Sequence, residues 1–435
     1  MSDTAAAPPT LRQRIRSVAL LHRLGPGLIT GAADDDPSGI ATYSQGGAQF
    51  GFGLLWTLVL TFPLMAAIQL VSAHIGRVTG KGLARNMGDV LPGPVVLSLV
   101  ALLFAANTIN IGADVAAMGE AAQLVAGFGG HAFTILFALA SVLLQMFVPY
   151  KRYARFLTVL TLSLLSYVVL VFMLRLDWTQ VALGTAGLHA ELSPAAATTI
   201  VAIFGTTISP YLFFWQSAEE VEELNHHAGE KPLTEDPAEA PGAFARIRID
   251  TISGMAVSNL VGLAIMIATA ATLHAAGKTD IRTAADAAHA LEPLAGRFAS
   301  TLFCIGIVGT GLLAIPVLAG SAAYAIGETR GWKVGLDNKP WEAIGFYLVI
   351  AAAVTLGIGI DFSGVDPIRA LYWSAVVNGV IAVPMMAAMM IVAGSRRKMG
   401  AFTAGRALSL LGWASTAVMA AATAAMAWVA VFPSR

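Results

Sequence analysis

Stretches without a charged side chain constrain this chain more than any other feature. Ten stretches of 18 or more residues contain no Asp, Glu, Lys or Arg. A helix needs about 20 mostly apolar residues to cross the hydrocarbon core of a bilayer. Each stretch can therefore supply at least one transmembrane helix, and their bounds are 37–76, 90–113, 121–150, 156–174, 192–218, 251–277, 298–327, 343–360, 370–395 and 407–434.

The composition supports a membrane location. Hydrophobic residues make up 57% of the 435 residues, charged residues make up 12%, and the mean hydropathy is +0.72. A soluble domain carries roughly 25% charged residues. We therefore exclude soluble enzymes, nucleic-acid-binding proteins and disordered scaffolds. The single cysteine, Cys304, lies in an apolar run, which excludes a disulfide framework and a thiolate metal site.

The stretches predict eleven spans. The stretch 37–76 divides at the turn-like pair Gly46-Gly47, and its second half, about 52–76, is one span. Its first half joins Leu24–Ala33 to give a span at about 26–47. All spans must be helices, because an open sheet edge in lipid would leave backbone groups unpaired. We expect an all-α integral membrane protein.

Lysine and arginine positions predict the orientation. With the N-terminus in the cytoplasm, the cytoplasmic segments hold 20 of the 26 basic residues. The excess recurs from loop to loop, as the positive-inside rule requires. This predicts a cytoplasmic N-terminus and an external C-terminus. The first 25 residues lack the apolar core of a cleaved signal peptide, so we expect none.

The first span contains the segment Asp34-Asp35-Asp36-Pro37-Ser38-Gly39. Proline removes a backbone donor, and glycine tolerates non-helical angles. A break here would expose carbonyl groups to a cation, and the carboxylates would add negative charge. The alternative is an ordinary loop between two short helices, but apolar sequence flanks the segment on both sides.

The sixth span contains a second candidate break, Gly205-Thr206-Thr207-Ile208-Ser209-Pro210-Tyr211. Pro210 lies five spans after Pro37, a spacing typical of transporters built from two inverted five-helix repeats. A simple proline kink is the alternative. We expect a cytoplasmic tail at 1–25, a core at 26–395 with repeats at about 26–175 and 196–395, and an eleventh helix at 405–434.

Other polar residues inside spans are candidate functional groups. Asp114 in the third span is either an acid of an ion or proton pathway or a hydrogen-bonded packing residue, and Glu120 follows it by two turns. Asn107, Asn110 and Asn378 line a pathway or join helices, and the sequence leaves both possibilities open.

The hydrophilic insert at about 219–249 holds His226-His227 among eight acidic residues. A histidine pair beside carboxylates can bind metal. The alternative, which we favour, is a solvated cytoplasmic loop after a helix end.

These residues resemble the Nramp family of divalent-metal transporters. The segment 36–56, DPSGIATYSQGGAQFGFGLLW, is similar to the family's Asp-Pro-Gly-Asn motif and the run that follows it. The segment 76–84, GRVTGKGLA, is almost unchanged from the family's second cytoplasmic turn. The segment 205–211 lies where Nramps carry Gly-Ala-Thr-Val-Met-Pro-His. The resemblance implies a LeuT-like fold of two inverted repeats plus one helix.

The resemblance also implies a metal site between the two broken helices. Asp36 is the charged ligand, and Gly39 replaces the family's ligating asparagine. Ser209 replaces its methionine, Thr206 replaces an alanine whose carbonyl binds metal, and Ala33 offers a carbonyl. Further candidates along the ion pathway are Asp34, Asp35, Asp114, Tyr211 and Asn378.

The replacements are similar to those of the Nramp-related magnesium transporters. Loss of a thioether removes a preference for soft cations, and smaller side chains leave room for a partly hydrated ion. Ala117 replaces one acid of the family's proton route, and its paired arginines are not evident at 339–350. The resemblance implies transport of Mg²⁺, and also Mn²⁺, without proton coupling.

Three alternatives remain. One is a proton-coupled manganese or iron transporter that uses Asp114 as the proton acceptor. Another is a sodium-coupled amino-acid carrier, although three aspartates at the break would repel a substrate carboxylate. The last is an enzyme, but no nucleotide-binding loop or catalytic triad is evident. We expect a monomer in a bacterial inner membrane, with lipid and divalent metal ions as partners and with no cofactor, enzymatic activity or nucleic-acid partner.

Overall fold

The structure is a computed structural model that describes residues 30–149, 157–188, 193–226 and 230–432, apart from Ala32 and Thr158. Within these residues the regular structure is entirely helical. The long helices, in chain order, are α1 Pro37–Phe50, α2 Leu55–Thr79, α3 Gly93–Ala126, α4 Gly130–Phe147, α5 Val159–Met173, α6 Pro194–Thr207, α7 Pro210–His226, α8 Ala240–Thr269, α9 Ala299–Arg330, α10 Ile344–Asp361, α11 Pro367–Gly394 and α12 Arg406–Val431.

The helices follow the predicted spans, but the first two spans do not divide at Gly46-Gly47. Both glycines lie inside α1, and the turn before α2 is at residues 51–54. In the described part of the chain, nine helical segments are long and apolar enough to cross a membrane, with α6 and α7 counted as one. The other two predicted spans correspond to the shorter apolar helix α5 and to the broken segment that ends in α1. The predicted N-terminal tail at 1–25 lies outside the described residues.

The first span is interrupted inside the aspartate run. Residues 33 and 34 are helical, Asp35 and Asp36 are not, and α1 begins at Pro37. Pro37 suits the first helical position, because the missing N–H would have no helical partner there. Asp36 is the N-cap, with an extended backbone at φ −69° and ψ 170°.

The sixth span is interrupted at the predicted position. Helix α6 ends at Thr207, and α7 begins at Pro210. Ile208 leaves the helical region with φ −114° and ψ 60°, although its N–H still donates to the carbonyl of Phe204 at 2.8 Å. Pro210 cannot donate a backbone hydrogen bond to the preceding turn, which favours an interruption at this position.

Glycine contacts bring the two broken spans into the centre of the bundle. A Cβ atom at Gly205 of α6 would lie 2.1 Å from the carbonyl oxygen of Ala375 in α11. A Cβ atom at Gly31 would lie 2.4 Å from the backbone of Gly254 in α8. Only glycine allows these close backbone approaches, which are typical of helix packing in membranes.

The hydrophilic insert packs against the end of α2. The buried Arg77 donates to Glu230 at 2.6 Å and to Glu239 at 3.3 Å. The N–H of Leu233 also donates to the carbonyl of Arg77 at 3.3 Å. The prediction of a solvated loop was therefore wrong for much of the insert: residues 219–226 belong to α7, residues 240–249 belong to α8, and Glu220 is buried. His227 lies outside the described residues.

Candidate metal site

The two broken spans face each other through short polar side chains. The hydroxyl of Ser38 lies 3.4 Å from that of Thr206. The hydroxyl of Tyr211 donates to the carbonyl of Ala33 at 3.2 Å. Because both contacts join residues of the two interruptions, Ala33, Thr206 and Tyr211 come together as the sequence predicts.

Asp36 is the carboxylate that adjoins this contact through Ser38. Its Oδ1 accepts hydrogen bonds from the N–H of Gly39 at 2.8 Å and from the hydroxyl of Ser38 at 2.6 Å. Its Oδ2 accepts one from the Nδ2 of Asn110 at 3.0 Å. The side chain is 1% exposed. The N-terminal dipole of α1 and three donors therefore stabilise a negative charge inside the membrane.

Asn110 connects the two buried acids of the site. Its Nδ2 donates to Asp36 and also to Asp114 Oδ2 at 3.1 Å. Its Oδ1 accepts from the hydroxyl of Ser374 at 2.9 Å and from the Nδ2 of Asn378 at 3.3 Å. The asparagine thus joins α1, α3 and α11, and Asn378 reaches the site only through it.

The sequence indicated only one part of the role of Asn110, its position on the same helix face as Asp114. Asn110 precedes Asp114 by one helical turn in an apolar span, and this spacing puts both side chains on one helix face. Its contacts with α11 come from residues more than 260 positions away. Glu120, by contrast, accepts from the N–H of Ala284 at 3.0 Å and is not part of this network.

Asp34 and Asp35 share one hydrogen-bond donor. The hydroxyl of Ser258 in α8 lies 2.5 Å from Asp34 Oδ2 and 3.0 Å from Asp35 Oδ1. A hydroxyl carries one proton, so it serves one of these carboxylates at a time. Asp34 Oδ1 and Asp114 Oδ1 are buried without a hydrogen-bond partner. Buried carboxylates of this kind favour a cation or a proton nearby.

Two of the positions that depart from the family motif, Gly39 and Ser209, belong to different breaks. A Cβ atom at Gly39 would lie 3.3 Å from Thr206 Oγ1 and 3.5 Å from the carbonyl oxygen of Asp34. The hydroxyl of Ser209 lies 2.8 Å from the carbonyl oxygens of Gly205 and Thr206, at the end of α6. A side chain at 39 would therefore crowd Thr206, so glycine lets the two breaks approach closely, whereas the Ser209 hydroxyl pairs with carbonyl groups at the end of α6.

Although Ser209 replaces the family's methionine, another methionine, Met118 of α3, packs near the first break. Met118 follows Asp114 by one helical turn and is fully buried. A Cβ atom at Gly311 would lie 2.3 Å from Met118 Sδ and 3.4 Å from the Pro37 ring. The α3 methionine and the Pro37 ring at the first break therefore pack against the same glycine.

The donor set can bind a divalent cation. Carboxylate, hydroxyl and carbonyl oxygens are the ligands that hard divalent ions prefer. All three kinds of oxygen occur at the two interruptions. The aspartate carboxylates supply the negative charge that a metal ion requires.

Comparisons with known proteins agree with this geometry. A family model described as natural resistance-associated macrophage protein-like matches residues 27–429. The chain belongs to the Nramp family. A divalent metal cation transporter MntH from Pectobacterium carotovorum is 27% identical over 401 residues, which are 90% of each chain. Another protein of that name from Yersinia pestis is 31% identical over 313 residues, 70% of this chain and 72% of that protein.

Solved structures support the fold of this Nramp protein. A mutant of the Eremococcus coleocola manganese transporter aligns with a TM-score of 0.74 at 17% identity, covering 99% of this chain and 91% of that one. Mhp1, a nucleobase-cation-symport-1 family transporter, aligns with a TM-score of 0.56 at 14% identity, covering 94% and 93%. The predicted LeuT-like, all-helical membrane fold is thereby confirmed.

Replacing Asn110 with alanine tests whether its link to the acids matters for function. Asn110→Ala leaves Asp36 Oδ2 and Asp114 Oδ2 without a donor, so we expect a strong loss of metal uptake into proteoliposomes. The matched control is Asn107→Ala. Asn107 is equally buried and donates to Leu318 and Ser321, both at 2.8 Å, but contacts no acid.

Each variant should lower the free energy of unfolding by about 1–3 kcal/mol, because each leaves buried groups unpaired. Only Asn110→Ala should reduce uptake once the amounts of folded protein are matched. Equal uptake losses in the two variants would assign Asn110 a purely structural role.

Proposed function

We propose that this protein imports divalent metal cations across the bacterial cell membrane by alternating access, with Mg²⁺ as the main ion and Mn²⁺ as a second one. The observation that carries the proposal is Asp36, a buried carboxylate held at the junction of two interrupted helices. Interrupted helices that meet near the bilayer midplane are the binding sites of transporters with this fold.

The relatives support the metal part of the proposal. The proteins from Pectobacterium carotovorum and Yersinia pestis are both named divalent metal cation transporters, and the structural relative is a manganese transporter. In this proposal Asp36 is the charged ligand. The carbonyl of Ala33 and the oxygens of Thr206 and Ser209 bind the ion directly or through water, and Gly39 provides space.

The small side chains at the two breaks support the preference for Mg²⁺. Mg²⁺ loses its water ligands reluctantly and binds proteins through one or two carboxylates. Glycine at 39 puts no side chain between the two breaks, and this suits an ion that keeps part of its hydration shell. Asp34 and Asp35 would add negative potential on the ion's route, and their shared donor Ser258 leaves them available to a passing cation.

The proposal that metal transport is not coupled to protons rests on proton-route groups that this sequence lacks. Ala117 stands where the family has an acid, and the region 339–350 holds only Lys339 and Glu342 as charged residues. Asp114 accepts a hydrogen bond from Asn110, which also donates one to Asp36. In this proposal Asp114 orients the network and contributes charge, and Tyr211 positions the Ala33 carbonyl.

A second candidate function is proton-coupled transport of Mn²⁺ or Fe²⁺. The observation in its favour is Met118, because thioether sulfur favours soft transition-metal ions over Mg²⁺. In this alternative, Asp114 accepts the proton that accompanies the metal ion.

Transport into proteoliposomes distinguishes the two candidates. With a Mg²⁺-sensitive dye and a pH-sensitive dye inside, we expect Mg²⁺ uptake without acidification of the lumen. Mn²⁺ uptake with acidification and no Mg²⁺ signal would establish the proton-coupled alternative, and protein-free vesicles provide the background.

The variant Asp36→Asn tests the proposed ligand. Asparagine can still accept the hydrogen bond from Gly39, so the helix cap is kept while the charge is lost. We expect Mg²⁺ uptake to fall to the level of protein-free vesicles. Uptake near the wild-type rate would remove Asp36 from the site.

The matched charge control is Asp89→Asn. Asp89 accepts a hydrogen bond from Lys398 at 2.5 Å, and this contact lowers the pKa of Asp89, so the carboxyl is ionised at neutral pH. The control therefore also removes one full negative charge, and it should transport Mg²⁺ normally.

The double variant Gly39→Asn, Ser209→Met tests the basis of selectivity. It restores an amide and a thioether at the two breaks, so we expect Mn²⁺ to compete better with Mg²⁺ uptake, by about tenfold or more if the thioether contributes at least 1.4 kcal/mol to discrimination. The control Gly39→Asn, Ser209→Ala loses the same serine hydrogen bonds without gaining sulfur. An unchanged competition ratio would refute selection by these two positions.

A further inference from the structure

A second group of metal-ligating side chains lies outside the broken helices, at the end of α7. Glu222 and His226 lie one helical turn apart, and Asp337 comes from the loop between α9 and α10. One ligand atom from each residue lies within 4.8 Å of the others. The lysine and arginine distribution predicts that this end of the bundle faces the cytoplasm.

The tertiary structure holds the three side chains in place. His226 Nε2 lies 2.5 Å from Asp337 Oδ2. Glu222 Oε1 accepts hydrogen bonds from the hydroxyl of Tyr324 and from the N–H of Leu336, the latter at 3.1 Å. Metal-binding carboxylates are commonly oriented by such neighbouring donors, which fix the ligand before the ion arrives.

A glycine permits the loop to approach Glu222. Gly335 has φ +126°, and a Cβ atom there would lie 2.8 Å from Glu222 Oε1. Any other residue would be strained and would push the carboxylate away. The loop therefore carries Asp337 to a position beside α7 that the sequence alone does not reveal.

The site is accessible from water, unlike the buried aspartates. The side chains of His226 and Asp337 are 39% and 43% exposed. Ligand atoms that share a tetrahedral ion at about 2.1 Å lie roughly 3.4 Å apart, so the pair formed by His226 and Asp337 would have to open by about 1 Å, a shift that exposed side chains can make. One imidazole nitrogen with two carboxylate oxygens suits a divalent transition metal better than Mg²⁺ or Ca²⁺, which prefer oxygen ligands.

We propose that Glu222, His226 and Asp337 form a second metal site that binds a divalent transition metal from the cytoplasm. The bound ion would link the end of α7 to the α9–α10 loop. Because α7 is half of an interrupted helix, its movement is part of alternating access. If the proposed transport function holds, occupancy of this site slows inward release, so a cytoplasmic transition metal acts as an inhibitor.

The binding test uses the full-length protein in detergent and titration calorimetry with Zn²⁺. His226→Ala and Asp337→Asn should each weaken one class of Zn²⁺ sites by about tenfold or more. The matched control is His289→Ala, because His289 is similarly exposed and lies 2.5 Å from one carboxylate, Glu292, without a third ligand. The control should bind Zn²⁺ like the wild type.

Unchanged Zn²⁺ binding in both His226→Ala and Asp337→Asn would overturn the proposal, as would an equal loss in His289→Ala. Asp337→Asn keeps the size of the side chain, so it remains informative if His226→Ala fails to fold. Asp36→Asn separates the two sites, since it should leave Zn²⁺ binding at His226 intact. A failure of the transport proposal is thus distinguishable from a failure of this one.

The regulatory part has its own readout. Zn²⁺ supplied on the side that His226 faces should slow Mg²⁺ flux in wild-type proteoliposomes but not in His226→Ala. Without Zn²⁺, both proteins should carry Mg²⁺ at the same rate. Equal inhibition of the two proteins would refute regulation through this site.

Discussion

The structure depends on how a broken helix satisfies its backbone groups inside a membrane. Without water, each unpaired N–H or C=O costs several kcal/mol. Asp36 provides one solution, since its carboxylate caps the first turn of α1 through Gly39. Ser209 provides another at the end of α6. The groups that repair the two breaks are therefore also the groups that can bind a cation.

This repair requires close packing between the helices that surround the breaks. Gly205 lets α6 touch the backbone of α11, and Gly31 lets the first span touch α8. The approach of α11 brings Ser374 and Asn378 to Asn110. Close packing at small residues thus brings these polar side chains to Asn110, which donates to Asp36.

Charge is unevenly distributed over the two candidate metal sites. The aspartates near the breaks are almost completely buried, and Ser258 cannot donate to Asp34 and Asp35 at once. The group at Glu222, His226 and Asp337 is partly exposed and contains an imidazole. The two sites therefore differ in the ions that they suit, which would let one metal regulate the passage of another.

Much of the fold was predictable from the sequence, because hydrophobic length and the placement of prolines act locally. The uncharged stretches predicted the spans, and Pro37 and Pro210 predicted the two interruptions. The motif around Asp36 predicted the family, which the match over residues 27–429 confirms. Tyr211 contacts Ala33, and Asp36 reaches Thr206 through Ser38, so these predicted site residues lie at the two breaks.

The contacts between distant spans could not be predicted, because they depend on how the helices pack in three dimensions. The sequence by itself determined where the chain crosses the membrane and where its helices break, since lipid penalises charge and unpaired backbone at each position. Only the tertiary structure decided that Asn110 joins Asp36 to Asp114, that Ser258 lies between Asp34 and Asp35, and that Asp337 reaches His226. These contacts join residues 4 to 224 positions apart, and helix rotation and close glycine packing select them.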